Sequence, residues 1–272
     1  MPLPQPRPHL APGLRVVRRG LHGLQIGLYD GRRVLLPRTE SVERTISLLL
    51  EGQLVGQDPA TGAVLDRLHR HGCLAWERPA RDANAVAVVG GFEVPGLPDI
   101  GALLSEAGVT ISSSTYDADV VMVLSAGELD REQLDPLIRR RTSHVVVRLV
   151  DGGAVLGPFV VPGTTACLRC IDAHQSVSDP DHIAVTARYI RATDHARADG
   201  VPDLDPALAC LALAWTVRDV IAHLDGGEPS TWSRTLCLTE NPANRHDQAW
   251  MRHPQCGCFW SADARSSGTM EV

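Results

Sequence analysis

Four cysteines are the residues in this chain whose type and spacing point most directly to chemistry. Cys167 and Cys170 form a Cys-x-x-Cys knuckle at the end of Gly157-Pro-Phe-Val-Val-Pro-Gly-Thr-Thr-Ala-Cys-Leu-Arg-Cys170. Cys256 and Cys258 form a second, Cys-x-Cys pair within His253-Pro-Gln-Cys-Gly-Cys258. Two close thiol pairs remote from each other in sequence are what a tetrahedral zinc site requires, because each tight turn supplies two ligands and the ion joins the turns. Zinc held by four thiolates is structural, since no position is left open for water. The bland alternative is two cysteine pairs without metal, reduced or disulfide-linked. His174 follows Cys170 by four residues and could stand in for one ligand, but the second cysteine pair makes it unnecessary.

The other chemistry of the chain is bounded by what it lacks. All 26 basic residues are arginine, so no phosphate-loop lysine, Schiff-base lysine or lysine general base is available. The net charge of −6 gives no general case for nucleic acid. Its distribution is uneven: through Arg81, twelve arginines face seven acids, so that part is about +5 and the remainder about −11. A basic N-terminal part on an acidic body predicts an acidic partner for the basic part. Cys73, Cys210 and Cys237 lie outside the two pairs, and Cys210 sits in an apolar helical stretch that predicts a core position. The chain opens without a signal-peptide pattern, and its longest apolar run, Ala207 to Val217, is too short to cross a bilayer. A reducing cytoplasm is the expected compartment, with no membrane partner, and there thiol pairs favour metal over disulfide.

The elements that must position these residues fall into two groups, within 272 residues of which 44% are hydrophobic. Residues 1–13 carry five prolines and are expected to form an extended or disordered tail. Residues 14–80 read as three strands followed by helices, a winged-helix-like pattern. Leu14 to Arg18 is the first strand, and Leu24 to Tyr29 alternates apolar and polar. Asp30-Gly31 has the composition of a two-residue hairpin turn, and Arg32 to Pro37 returns as the partner strand. Thr39 is positioned to cap a helix burying Val42, Ile46, Leu49 and Leu50, and Asp58-Pro59 to start another burying Val64, Leu65 and Leu68. Only Arg67 and Arg70, offset by Asp66, mark that second helix, which argues against nucleic acid. The strand Arg32 to Leu36 offers an exposed edge to which a peptide can add.

A charged, proline-containing stretch, Glu77 to Asn84, is the expected boundary before an α/β domain over residues 84–262. Ala85 to Gly91, Ala118 to Leu124 and His144 to Val150 read as buried parallel strands with helices between them, a Rossmann-type sheet. The expected nucleotide loop fails its pattern. Gly90-Gly91-Phe-Glu-Val-Pro-Gly96 is not Gly-x-Gly-x-x-Gly, Glu93 would repel phosphate, and Pro95 has no N–H to donate. Ser178 to Leu204 is expected to be a crossover or interaction loop whose His182 and His195 are surface residues. Asp205-Pro206 should cap a buried helix running to Leu224, and two further strands lead to Cys256 and Cys258. Residues 263–272 read as a loose tail.

In this order the parts become specific. A degenerate Rossmann strand, the Gly157 to Cys170 stretch, a buried helix, a hairpin and His253-Pro-Gln-Cys-Gly-Cys258 resemble the ThiF/ubiquitin-activating-like proteins of bacterial peptide natural-product clusters. These are the leader-peptide-binding, cyclodehydratase-partner proteins of thiazole/oxazole-modified peptide and thiopeptide pathways. The resemblance covers the chain after Gly13. It implies zinc on Cys167, Cys170, Cys256 and Cys258. It implies a precursor leader peptide pairing with Arg32, Arg33, Val34, Leu35 and Leu36, in a groove walled by Leu65, Leu68 and His69. It implies a YcaO-type cyclodehydratase or other modifying enzyme as partner, and a homodimer, since related domains commonly dimerise. Three departures stand out: the middle helix of the recognition element is reduced to Gln53 to Gln57, the adenylating members' glycine loop and lysine are missing, and the strand Asp119 to Leu124 runs into Ser125-Ala-Gly where those members place acidic residues. The expectation is therefore a non-catalytic scaffold that binds no ATP. The alternative is an ATP-dependent ThiF-type adenylyltransferase acting on a peptide or carrier protein.

Overall fold

In the computed structural model, residues 7–53, 55–56, 58–76, 84–91, 96–199 and 205–259 are described. Leu54 and Gln57 of the reduced helix, most of the Glu77 to Asn84 boundary, Glu93, Pro95 and residues 263–272 lie outside the described residues. The chain forms two compact units, Met1–Ala80 and Arg81–Val272.

The first unit begins with β1 (Pro8–Leu10), in a stretch whose prolines suggested only a tail. Pro8 is the first residue of its strand, where a missing N–H is tolerated, and Leu10 is buried. Three strands follow, β2 (Val16–Arg19), β3 (Gly23–Ile26) and β4 (Val34–Pro37), paired antiparallel in the order β2-β3-β4. The register Ile26 to Val34 leaves seven residues between β3 and β4, so the predicted two-residue turn at Asp30-Gly31 does not form. Asp30–Arg32 is instead one turn of 3-10 helix, and Gly27, at φ 72°, lets the chain fold back against the Arg32 carbonyl, 2.1 Å from where a Cβ would stand.

Thr39 caps α1 (Glu40–Leu50) by accepting from the Val42 N–H at 3.3 Å. Val42, Ile46 and Leu49 face the core, whereas Leu50, expected on the same face, is exposed. Asp58 caps α2 (Pro59–Arg70), accepting from the N–H groups of Ala60 and Thr61 at 3.1 and 3.0 Å. The unit closes with β5 (Leu74–Trp76) antiparallel to β1. Its core joins Leu24, Ile26, Val34 and Leu36 of the sheet to Val42, Ile46, Leu49, Val64 and Leu68 of the helices.

The second unit runs β6 (Ala85–Gly91), α3 (Ile100–Glu106), β7 (Thr110–Ser112), β8 (Val120–Ser125), α4 (Asp135–Arg140), β9 (Ser143–Val150) and β10 (Gly153–Val160). It continues with α5 (Leu168–Ser178), α6 (His182–Asp199), α7 (Pro206–Leu224), β11 (Arg234–Leu238) and β12 (His246–Ala249). The seven-stranded sheet has the order β12-β11-β10-β9-β8-β6-β7. Strands β9, β8, β6 and β7 are parallel and β10, β11 and β12 antiparallel, so the expected parallel sheet is extended by three antiparallel strands. Asp151 and Gly152, both at positive φ, join β9 to β10, the conformation that a two-residue hairpin needs.

Period-two alternation sorts β8 and β9 between two cores. Met122, Leu124, Val145 and Val147 face α7, while Val121, Val123 and Val146 pack with Leu134, Leu137, Leu168 and Ile171 on the other side. Helix α6 replaces the crossover loop expected over Ser178 to Leu204. Among the described helices α7 alone is long and apolar enough to cross a membrane, and half of its 18-residue apolar window is buried in the fold.

Candidate metal centre and switch-point cavity

Both arms of the cysteine cluster are fixed by hydrogen bonds of side chains and backbone. After β10 the chain turns at Val161, whose N–H donates to Thr165 Oγ1 at 2.7 Å. Cys167 is the N-cap of α5 and Cys170 lies in its first turn. The second arm leaves β12 at Trp250, whose indole N–H donates to Thr235 Oγ1 at 2.8 Å. Ser233 joins the arms: its Oγ accepts from the Ala166 N–H at 2.9 Å, and its carbonyl accepts from the Trp250 N–H at 2.8 Å. His174 is a buttress and not a ligand, with Nε2–H donating to the Met251 carbonyl at 2.9 Å.

The four sulfurs are buried and all lie within 4.8 Å of one another. Cys167 Sγ is 3.7 Å from Cys170 Sγ and 3.6 Å from Cys256 Sγ, and Cys170 Sγ is 3.6 Å from Cys258 Sγ. A disulfide needs about 2.05 Å, so these contacts are not disulfide bonds. A tetrahedral ion at about 2.3 Å from each sulfur sets the sulfurs about 3.8 Å apart, which this donor set fits. The cluster is thus compatible with a structural metal.

The second site lies where the strand order reverses. From β6 the chain passes to β7 on one side and then to β8 on the other, and ligands in open α/β sheets bind outside the carboxyl ends of the strands at such a point. A cavity of about 330 Å³ is found there, lined by Gly90 and Gly91 of β6, Leu124 and Ser125 of β8, and Glu128, Asp130 and Gln133 beyond β8. Gly90, at φ 77°, brings β6 so close to β8 that a Cβ would stand 2.1 Å from the Leu124 carbonyl oxygen.

A chain of buried charges backs this cavity. Arg148 Nη1 donates to both carboxylate oxygens of Glu128, at 2.8 and 2.7 Å. Arg131 Nη1 also donates to Glu128, and its Nε and Nη2 form a fork on Asp172 at 2.9 and 2.8 Å. His182, expected at the surface, is half-buried with Nε2 3.4 Å from Asp172 Oδ1. Burial alone would raise the Glu128 pKa, but the guanidinium groups of Arg148 and Arg131 outweigh it and hold the carboxyl down at about 2. The charges of the arginines are balanced by these carboxylates, and among the described residues the acid–base groups lining the cavity are the carboxylates Glu128 and Asp130. Toward a bare phosphate this lining is unfavourable in charge, because carboxylates repel it and the guanidinium groups are already engaged. The acidic residues expected to be missing at Ser125-Ala-Gly lie just beyond it, as Glu128 and Asp130; the signal was the Glu128-Leu-Asp-Arg131 cluster directly beyond a fully buried strand.

The residues expected to bind peptide sit in the first unit. Arg32 lies in the 3-10 turn and Arg33 in the connection, so the strand begins at Val34 and not at Arg32. Val34 and Leu36 point into the core, and Leu35 is 38% exposed. Leu68 is fully buried and cannot wall a groove, whereas Leu65 is half-buried and His69 exposed. The Arg38 N–H bonds to the His22 carbonyl at 2.8 Å. With the register of β3 and β4, this places the bonds of Val34 and Leu36 toward β3 and the N–H and C=O of Leu35 outward.

No family profile matches this chain, and no curated protein matches it. Solved structures do. The heterocyclase TruD matches with a TM-score of 0.63 at 17% identity, over 93% of this chain and 43% of that one. The microcin C7 biosynthetic enzyme MccB in complex with N-formylated MccA matches with a TM-score of 0.55 at 13% identity, over 93% of this chain and 99% of that one. Escherichia coli MccB with ATP gives a TM-score of 0.53 at the same coverage. The chain shares their fold. It spans less than half the length of the heterocyclase and nearly all of MccB.

Proposed function

We propose that this protein is a non-catalytic scaffold of ribosomal peptide natural-product biosynthesis. It binds the leader of a precursor peptide by strand addition to β4 and presents it to a YcaO-type cyclodehydratase or other modifying enzyme. The observation that carries this reading is the free edge of β4, whose Leu35 turns its N–H and C=O away from β3. It is supported by the basic charge of the N-terminal part and by the fold shared with a heterocyclase and with MccB, the latter determined in complex with N-formylated MccA. Arg33 beside the edge and Leu65 and His69 of α2 flank the added strand. Zinc, held by Cys167, Cys170, Cys256 and Cys258, has a structural role.

The test is binding of the leader segment of a ribosomal precursor peptide. Full-length protein should bind it, and a variant beginning at Arg81 should remain folded and lose binding. Full affinity in the truncated protein would sink the proposal.

A second reading, a ThiF-type adenylyltransferase, is favoured by the match along the whole of MccB. Calorimetry with MgATP separates the two: saturable binding by the wild-type protein supports the enzyme and overturns the scaffold without nucleotide.

A further inference from the structure

The cavity at the strand-order reversal is separated from two guanidinium groups by a single carboxylate. Glu128 lines it, whereas Arg131 and Arg148, which hold Glu128, do not. Arg148 is buried, and its Nε has no hydrogen-bond partner, so its donor capacity exceeds what the chain supplies. A carboxylate and a phosphate offer a guanidinium fork the same kind of paired acceptor oxygens.

We propose that Glu128 is a built-in anion that occupies and closes a latent phosphoanion site. Its carboxylate stands where a phosphate would meet Arg148 and Arg131, in front of the glycine backbone at Gly90 and Gly91. With Glu128 and Asp172 present, the two arginines are balanced by two carboxylates. Without Glu128, Arg148 loses its ion-pair partner beside a cavity whose remaining lining carboxylate is Asp130, and a buried charge without its partner recruits a counter-ion or destabilises the fold. The same carboxylate excludes nucleotide from the wild-type chain. This inference rests on the nucleotide-free part of the proposed function and is independent of leader binding.

The test is Glu128→Gln in the full chain, probed with inorganic pyrophosphate by calorimetry and thermal melting. Wild-type protein should show no saturable binding. The variant should bind pyrophosphate at least tenfold more tightly, and Arg148→Met added to it should abolish that gain. If the variant is unfolded in chloride buffer, acetate or pyrophosphate should restore its structure by replacing the lost carboxylate. The proposal is overturned if a folded variant binds no better than wild type, if wild type binds as tightly, or if neither anion refolds an unfolded variant. Leader affinity, measured alongside, reports separately on the scaffold reading.

Discussion

Replacing Leu35 by proline separates the edge of β4 from its body. The Leu35 N–H points away from β3, so losing it removes no bond within the sheet, and the side chain is 38% exposed. The folded state should therefore lose no more than about 1 kcal/mol, as for proline on an edge strand. An added peptide fares differently. Pro37 already lacks an N–H, so Leu35 is the only residue of β4 with an outward N–H donor. Its loss removes a hydrogen bond worth about 1 kcal/mol and leaves a peptide carbonyl unpaired at about 1–3 kcal/mol, an affinity loss of roughly thirtyfold or more. Leu36→Pro is the matched opposite. It removes a bond to β3 and a buried side chain, and should destabilise the Met1–Ala80 unit by several kcal/mol. Arg18→Pro alters an outward N–H on the other edge, β2, and should leave both stability and leader affinity unchanged. Fluorescence anisotropy with labelled leader and urea melts read the three variants. Wild-type affinity in the Leu35→Pro protein refutes strand addition at β4. Equal stability of the Leu35→Pro and Leu36→Pro proteins refutes the register.

Three further outcomes follow from the second unit. Cys170→Ser should reduce bound zinc below one per chain by atomic absorption and destabilise this unit by about 2–4 kcal/mol, the ordinary worth of a cross-link; an unchanged melting temperature counts against a structural ion. Asp219 on α7 accepts from the N–H groups of Ser230 and Thr231 at 2.8 and 2.9 Å and from both their hydroxyls. Asp219→Ala strands these donors and should cost about 3–5 kcal/mol in urea unfolding, while Ser230→Ala, which removes one hydroxyl, should cost far less. Glu128, depressed from 4.5 to about 2, contributes stability that is complete above pH 4.5 and is lost as pH falls toward 2, roughly 3 kcal/mol in all; Glu128→Gln should flatten that part of the acid titration of stability.

What was legible in the sequence was local. Thr39, Asp58 and Asp205 cap the helices their types announced, because a capping oxygen reaches N–H groups only two or three residues ahead. The cysteine pairs were legible because few other constraints put two thiols on one turn. The Asp-Gly dipeptide shows where local chemistry stops. Asp151-Gly152 makes the tight hairpin, but Asp30-Gly31 does not, because the register of Ile26 with Val34 already sets a longer connection. Leu50 and Leu68 were both assigned to a buried face by spacing, yet only the packing of α1 and α2 decides that one is exposed and the other completely enclosed. The Glu128 network was hidden for the same reason: its members come from positions 128 to 182, and only the fold brings them together.

With an ion on the four thiolates, residues 167–258 become a ring. The two arms are 89 residues apart in sequence, and α6, α7, β11 and β12 all lie on the loop between them. A single backbone cut within that loop does not release a fragment, because both pieces stay tethered at the cluster. The nicked protein should migrate as one body under native conditions and fall into two when the ion is withdrawn.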